Sequence, residues 1–151
     1  MKNKKWVPYL VSIIVALAIG FLSGLATSAG MADYERLIKP PLTPPSGVFP
    51  IVWPILYVLM GISAAIIWQS DSRARKKALR IYIVQLLLNA LWSVLFFTLQ
   101  AYFLAFVWLI LLWVMILSMI IAFYRINRLA GLIQIPYLLW VSFAGYLNFA
   151  I

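Results

Sequence analysis

The chain has 151 residues, of which 66% are hydrophobic and 10% charged, with a mean hydropathy of +1.05. A soluble core of this size cannot hide so much apolar surface, so the composition specifies an integral membrane protein. The net charge of +9 would suggest nucleic acid in a soluble protein, but the lysines and arginines are confined to the N-terminus and loops, and no nucleic-acid partner is expected. There is no cysteine and no histidine, which excludes a disulfide, a thiolate nucleophile, an iron–sulfur site and the usual neutral-pH acid–base group. Haem iron would lack its usual axial ligand, and neither a metal site nor a resident cofactor is expected.

A membrane-crossing helix needs about 20 apolar residues. Five windows qualify, Trp6–Ser28, Val48–Gln69, Leu79–Leu99, Ala101–Tyr124 and Leu129–Ile151. The expected fold is all-α: one five-helix transmembrane domain over residues 1–151, with a loop at 29–47 between the first two helices.

The first window follows a basic segment and resembles a signal peptide, but its apolar run exceeds the roughly 7–15 residues of a signal core, so a retained helix is expected. Along it Ser12, Ala16, Gly20, Gly24 and Ser28 recur every four residues, a small-xxx-small ridge that permits close backbone approach. The ridge suits packing within the bundle, a dimer seam or a ligand-facing groove.

Tyr34–Tyr57 holds six of the eight prolines. Proline fixes φ and removes a donor, so Pro40-Pro41 and Pro44-Pro45 favour extended backbone with turns, and the segment reads as a stiff lid. Arg36 and Lys39 place cations in it. Where helix resumes, Trp53 and Tyr57 share a face, whereas Trp68 at the far end reads as an interfacial belt tryptophan.

Loop 70–80 is strongly basic and fits against anionic lipid. In the third helix Gln85, Asn89, Trp92 and Phe96 fall on one face; amides in hydrocarbon need partners, so Asn89 is either interhelical glue or a hydrogen-bonding group in a pocket. The short uncharged link that follows makes the third and fourth helices an antiparallel pair. Trp108 and Trp113 of the fourth helix read as packing or lipid contacts. In the fifth, Pro136, Trp140, Ala144 and Asn148 recur at every fourth position, with Pro136 expected to kink the helix; a kink with a packed tryptophan, or a site with room beside Ala144 for a flat guest, both fit.

Lysine and arginine number 3 before the first span, then 2, 5, 0 and 2 in successive loops and 0 after the last. With the N-terminus inside, the cytoplasmic face holds 3 + 5 + 2 = 10 and the other face 2. This positive-inside bias places the lid and the C-terminus outside.

The only acids are Asp33, Glu35 and Asp71, all assigned to loops, so apart from Arg80 at the loop edge of the third window no carboxylate, histidine, lysine or arginine remains in any span. Proton relays, voltage sensing and paired-carboxylate hydrolysis are thereby excluded, as are Walker and Rossmann sites, whose glycine patterns are missing. What remains is an apolar, tryptophan-lined site with a few amide and phenol groups, suited to a flat aromatic or sterol-like guest. Arg36 and Lys39 could meet a guest's carboxylates at the membrane surface.

Tyr34, Lys39-Pro40, Pro44-Pro45, the Val48–Gly61 run, QLLLNALWSVLFF from Gln85 and PYLLWVSFAGYLN from Pro136 resemble the signature blocks of the translocator protein family, also called tryptophan-rich sensory proteins or peripheral-type benzodiazepine receptors. The resemblance extends over nearly the whole chain and is to the bacterial members. It implies five helices, a lid formed by the first loop, and binding of porphyrins, cholesterol and synthetic isoquinoline or benzodiazepine ligands. Tyr34, Trp53, Asn89, Trp140 and Ala144 match the family's pocket pattern, and Trp53 and Trp140 match tryptophans linked in bacterial relatives to light-dependent porphyrin breakdown. The chain departs from animal members at its end, where Leu147-Asn148-Phe149-Ala150-Ile151 lacks the tyrosine and basic residue of their cholesterol motif; this argues against cholesterol as a partner.

The expected function is a membrane receptor or translocator for porphyrins in a bacterial-type cell membrane, as a homodimer, with Tyr34, Trp53, Tyr57, Asn89, Trp140 and Ala144 around the guest. Two alternatives stand beside it. One is light-dependent degradation of the porphyrin, with Trp53 and Trp140 as catalytic residues and the guest as its own chromophore. The other is an oligomeric stress-response scaffold.

Overall fold

The computed structural model describes residues 6–37, 39 and 49–150. Its helices are α1 (Trp6–Glu35), α2 (Phe49–Trp68), α3 (Arg75–Ser93) with a π-helical extension over Val94–Thr98, α4 (Tyr102–Ile126), α5 (Arg128–Ile133) and α6 (Ile135–Ala150). Among the described residues there is no strand. Within these residues five stretches are long and apolar enough to cross a membrane, the last being α5 and α6 together, Arg128–Phe149. Large apolar side chains cover the outside, among them Phe21, Ile51, Phe103, Leu139 and Phe149. In water that surface would be prohibitive; in a bilayer it is the solvated face, so the chain is an integral membrane protein.

The helix ends follow from local chemistry. α1 continues past Ser28 to Glu35, so residues 29–35, expected in the loop, are its last two turns. The apolar pattern stops at Ser28, but nothing breaks the helix before Pro40. The last turn is closed by Lys39, whose Nζ donates to the Glu35 carbonyl at 3.0 Å, a cation on an orphan helix-end acceptor. The lid prolines Pro40–Pro45 lie outside the described residues. At the other end of the bundle, the Arg75 guanidinium donates to the carbonyls of Trp68 (3.1 Å) and Ser70 (3.3 Å), tying off α2.

The π stretch ends with Leu99 N–H donating to Val94 O at 2.9 Å and Ala101 N–H to Leu95 O at 2.9 Å. Gln100 takes the turn with φ 53°, a left-handed conformation uncommon outside glycine. α4 then packs back along α3, the expected antiparallel pair. In the fifth span the break falls at Gln134, between α5 and α6. Pro136 occupies the first turn of α6, where its missing N–H costs least, and Leu138 N–H restarts the ladder on Gln134 O at 3.2 Å. Asn127 caps α5, its side chain accepting from Ala130 N–H at 3.1 Å.

α1 packs on α2, α3 and the π stretch; α4 packs on α3, α5 and α6; and α2 packs on α5. The small-residue ridge of α1 holds only in part. Ser12 and Ala16 are buried and Gly20 is half-buried, but Gly24 is exposed, and a Cβ placed there would meet nothing within 4 Å. The buried line passes instead through Ser23 and Gly30. The close approaches are specific: a Cβ on Gly61 of α2 would lie 2.6 Å from Ile13 Cα, and one on Gly20 would lie 2.5 Å from the Tyr57 ring.

Candidate ligand site between three helices

Four buried polar side chains connect α2, α3 and α6. Tyr57 Oη donates to Asn89 Oδ1 at 2.5 Å, Asn89 Nδ2 donates to Tyr137 Oη at 2.7 Å, and Tyr137 Oη donates to Gln85 Oε1 at 2.8 Å. Their exposures are 2% for Tyr57, 1% for Asn89 and Tyr137, and 0% for Gln85. Polar groups inside a span must find protein partners, and these form a one-way chain in which each link donates to the next. Such chains polarise cooperatively in a low dielectric. Asn89 is therefore interhelical glue, bonded to both neighbouring helices. Tyr57 can stand where it does because Gly20 leaves room for its ring.

Tyr137 was not among the expected residues. The stripe of every fourth residue in the fifth helix begins at Pro136, yet Pro136 is exposed, and the buried positions are Tyr137, Val141, Leu147 and Asn148. The available signal was chemical: a phenol in the middle of an apolar span, and an Asn89 that needed a second partner.

Above this chain stand the rings. Trp53 lies 5.8 Å from Tyr57, tilted by 30°, and 6.3 Å from Trp140, edge to face at 89°; Trp140 in turn lies 5.8 Å from Phe143. Trp53 and Trp140 are half-buried, and so is Ala144, one turn beyond Trp140. Trp53, Tyr57, Asn89 and Trp140 thus come together from three helices, as a site requires. Tyr34 is on the last turn of α1, but its side chain lies outside the described residues. Arg36 is exposed just past the end of α1, and Lys39 is half-buried.

Other singled-out residues have packing duties. Trp92 Nε1 donates to Asn148 Oδ1 at 3.3 Å, and Asn148 Nδ2 donates to Tyr102 O at 3.0 Å, so both tie α3, α4 and α6 together. Trp92 stacks on Phe96 at 5.2 Å, and Phe96 meets Phe97 edge-on at 4.8 Å. Consecutive Phe96 and Phe97 are both buried, at the π stretch where the helix is wound wider. Trp108 Nε1 donates to Leu88 O at 3.0 Å and Trp113 Nε1 to Ser142 Oγ at 2.9 Å. Trp68 is exposed, as a belt residue would be.

Five membrane-length spans enclosing a phenol–amide chain beneath paired indoles define a class: an integral membrane protein with an aromatic, hydrogen-bond-anchored interior and, among the described residues, no carboxylate, lysine or arginine at its centre. The chain belongs to the TspO/MBR family, whose family model matches residues 12–151. It is 36% identical to the tryptophan-rich protein TspO of Chlorobaculum tepidum, over 99% of this chain and 96% of that protein. It is also 36% identical to protein CrtK of Rhodobacter capsulatus, over 91% and 86% of the two chains, and 34% identical to the bovine translocator protein, over 95% and 88%.

Proposed function

We propose that this protein is a membrane receptor or translocator for porphyrins and similar flat hydrophobic molecules, bound against Trp53 and Trp140 with Tyr57 and Asn89 below them. The observation that carries the reading is the perpendicular pair of half-buried indoles from α2 and α6, 6.3 Å apart. A flat guest could stack on the face of one and meet the edge of the other, the two favourable aromatic geometries. Ala144 leaves space beside Trp140, and Tyr34, Arg36 and Lys39 would contribute from the lid side, the cations toward guest carboxylates. The N-terminus faces the cytoplasm in this reading, the lid and C-terminus face outward, and the protein works as a homodimer.

The test is titration of purified protein with protoporphyrin in detergent, read by absorbance in the dark. Saturable binding that is lost in Trp140→Ala but kept in Trp68→Ala supports the reading; equal binding by both variants rejects it. The two adjacent indoles also favour a second reading, in which the photoexcited porphyrin passes its excitation to dioxygen or to an indole and is itself degraded by the oxygen species formed. Illumination of the same samples separates the two: bleaching to a discrete product, lost in Trp53→Phe or Trp140→Phe, would make the protein an enzyme.

A further inference from the structure

We propose that the bundle contains a second, deeper polar site, built by Tyr82, Gln85 and Gln134, that holds a neutral hydroxylic group. All three side chains are buried, with exposures of 4%, 0% and 0%. Yet Tyr82 Oη, Gln85 Nε2 and both Gln134 amide atoms have no hydrogen-bond partner among the described residues. In hydrocarbon each such atom is costly, by several kcal/mol. Four of them within about one helical turn of depth call for a ligand.

That Tyr82 and Gln134 share a level just below Gln85 follows from the chain. α3 and the α5–α6 span run in the same direction, since each follows a span of opposite sense, and they are cross-linked by the Tyr137–Gln85 hydrogen bond. Tyr82 precedes Gln85 by three residues and Gln134 precedes Tyr137 by three, so both lie about 4.5 Å below the cross-link, toward the basic loop. The Phe123 ring of α4 packs beside them, 6.1 Å from the Tyr82 ring. Ser63 of α2 is engaged elsewhere, donating to Ala130 O at 2.6 Å.

The donor set defines the ligand. Gln85 Oε1 already accepts from Tyr137, so the unmet group of Gln85 is its Nε2 donor. Gln134 offers a donor and an acceptor, and the Tyr82 hydroxyl can act as either. A bare carbonyl could not donate to Gln134 Oε1, and an ion would find no counter-charge. A hydroxyl both accepts and donates, and it comes either from water or from the alcohol or phenol end of a guest. The site is separate from the rings around Trp53, and it terminates the donor chain that starts at Tyr57.

The test uses Tyr82→Phe and Gln134→Leu in lipid-stripped protein. If the polar atoms stood alone, deleting them would leave the melting temperature unchanged or raise it; if a hydroxylic ligand satisfies them, deletion lowers it by about 2–4 °C per bond lost. A lowered melting temperature without guest identifies water as the ligand. If melting without guest is not lowered, but the preference for 2-naphthol over naphthalene seen in the wild type disappears in the variants, the hydroxyl comes from the guest. If melting is not lowered and the naphthol preference is unchanged or was never present, the proposal is overturned. Tyr82→Phe alters a single oxygen, so it carries both readouts should Gln134→Leu fail to fold.

Discussion

Tyr137→Phe is the sharpest probe of the interior. The Tyr137 hydroxyl accepts from Asn89 and donates to Gln85, so its removal breaks two hydrogen bonds and strands a buried donor and a buried acceptor. Interhelical hydrogen bonds in membranes average about 0.6 kcal/mol and reach about 1.7, and a stranded buried polar group costs about 1–3 kcal/mol. Because these ranges overlap in what they count, a total of about 2–4 kcal/mol is expected. Tyr57→Phe breaks only the terminal bond to Asn89 and should cost about half as much, roughly 1–2 kcal/mol. Unfolding by titration with sodium dodecyl sulfate, followed by circular dichroism, measures both. The double variant should cost less than the sum, since both phenols act through Asn89. If Tyr137→Phe costs no more than Tyr57→Phe, or the two add without coupling, the phenol–amide chain does not hold the three helices as described.

Gly20→Ala should lower the melting temperature and weaken the Tyr57–Asn89 bond, because its Cβ would press into the Tyr57 ring at 2.5 Å. Gly24→Ala, with open space around it, should be neutral or slightly stabilising, since alanine is favoured over glycine by about 1 kcal/mol in a helix; equal losses for both would return the whole ridge to the interior. Arg36→Ala and Lys39→Ala should weaken binding of a dicarboxylate porphyrin at low salt and by less at high salt, because exposed charge pairs are screened. An uncharged ligand should be unaffected, and a loss for both ligands would remove the cations from the guest's carboxylates. Reporter fusions should place the two termini on opposite sides of the membrane, with the N-terminus inside; both termini on one side would contradict five crossings.

The membrane class, the five crossings and the gathering of Trp53, Tyr57, Asn89 and Trp140 were legible because each rests on a strong local signal: apolar length, an amide in hydrocarbon, rings one turn apart. The course of α1 beyond Ser28 was not. Hydropathy marks where a helix leaves apolar surroundings, not where it ends, and the polar residues up to Glu35 have no reason to leave the helix before the prolines. Nor could sequence show Asn148 bonding Trp92 instead of facing a guest, because that choice depends on which helices lie side by side, and the pattern of one helix does not carry it.

The remaining misreadings have one geometric origin. A step of four residues advances an α-helix by 400°, so a stripe of every fourth residue drifts by about 40° per step and by about 120° over three steps. Ser12 to Gly24 is three such steps and runs from buried to exposed. Pro136 to Asn148 is also three steps and runs from exposed to buried, which is why the stripe missed Tyr137 on the true inner face. The third helix was read through mixed steps of four, three and four, Gln85 to Asn89 to Trp92 to Phe96, which accumulate only about 20°, and all four of these residues are buried. Alignment with the 3.6-residue turn thus separates the face that was found from the two that were not. The same rule assigns Tyr82, one three-residue step before Gln85, to the inner face of α3, where its unpartnered hydroxyl needs the ligand proposed for it.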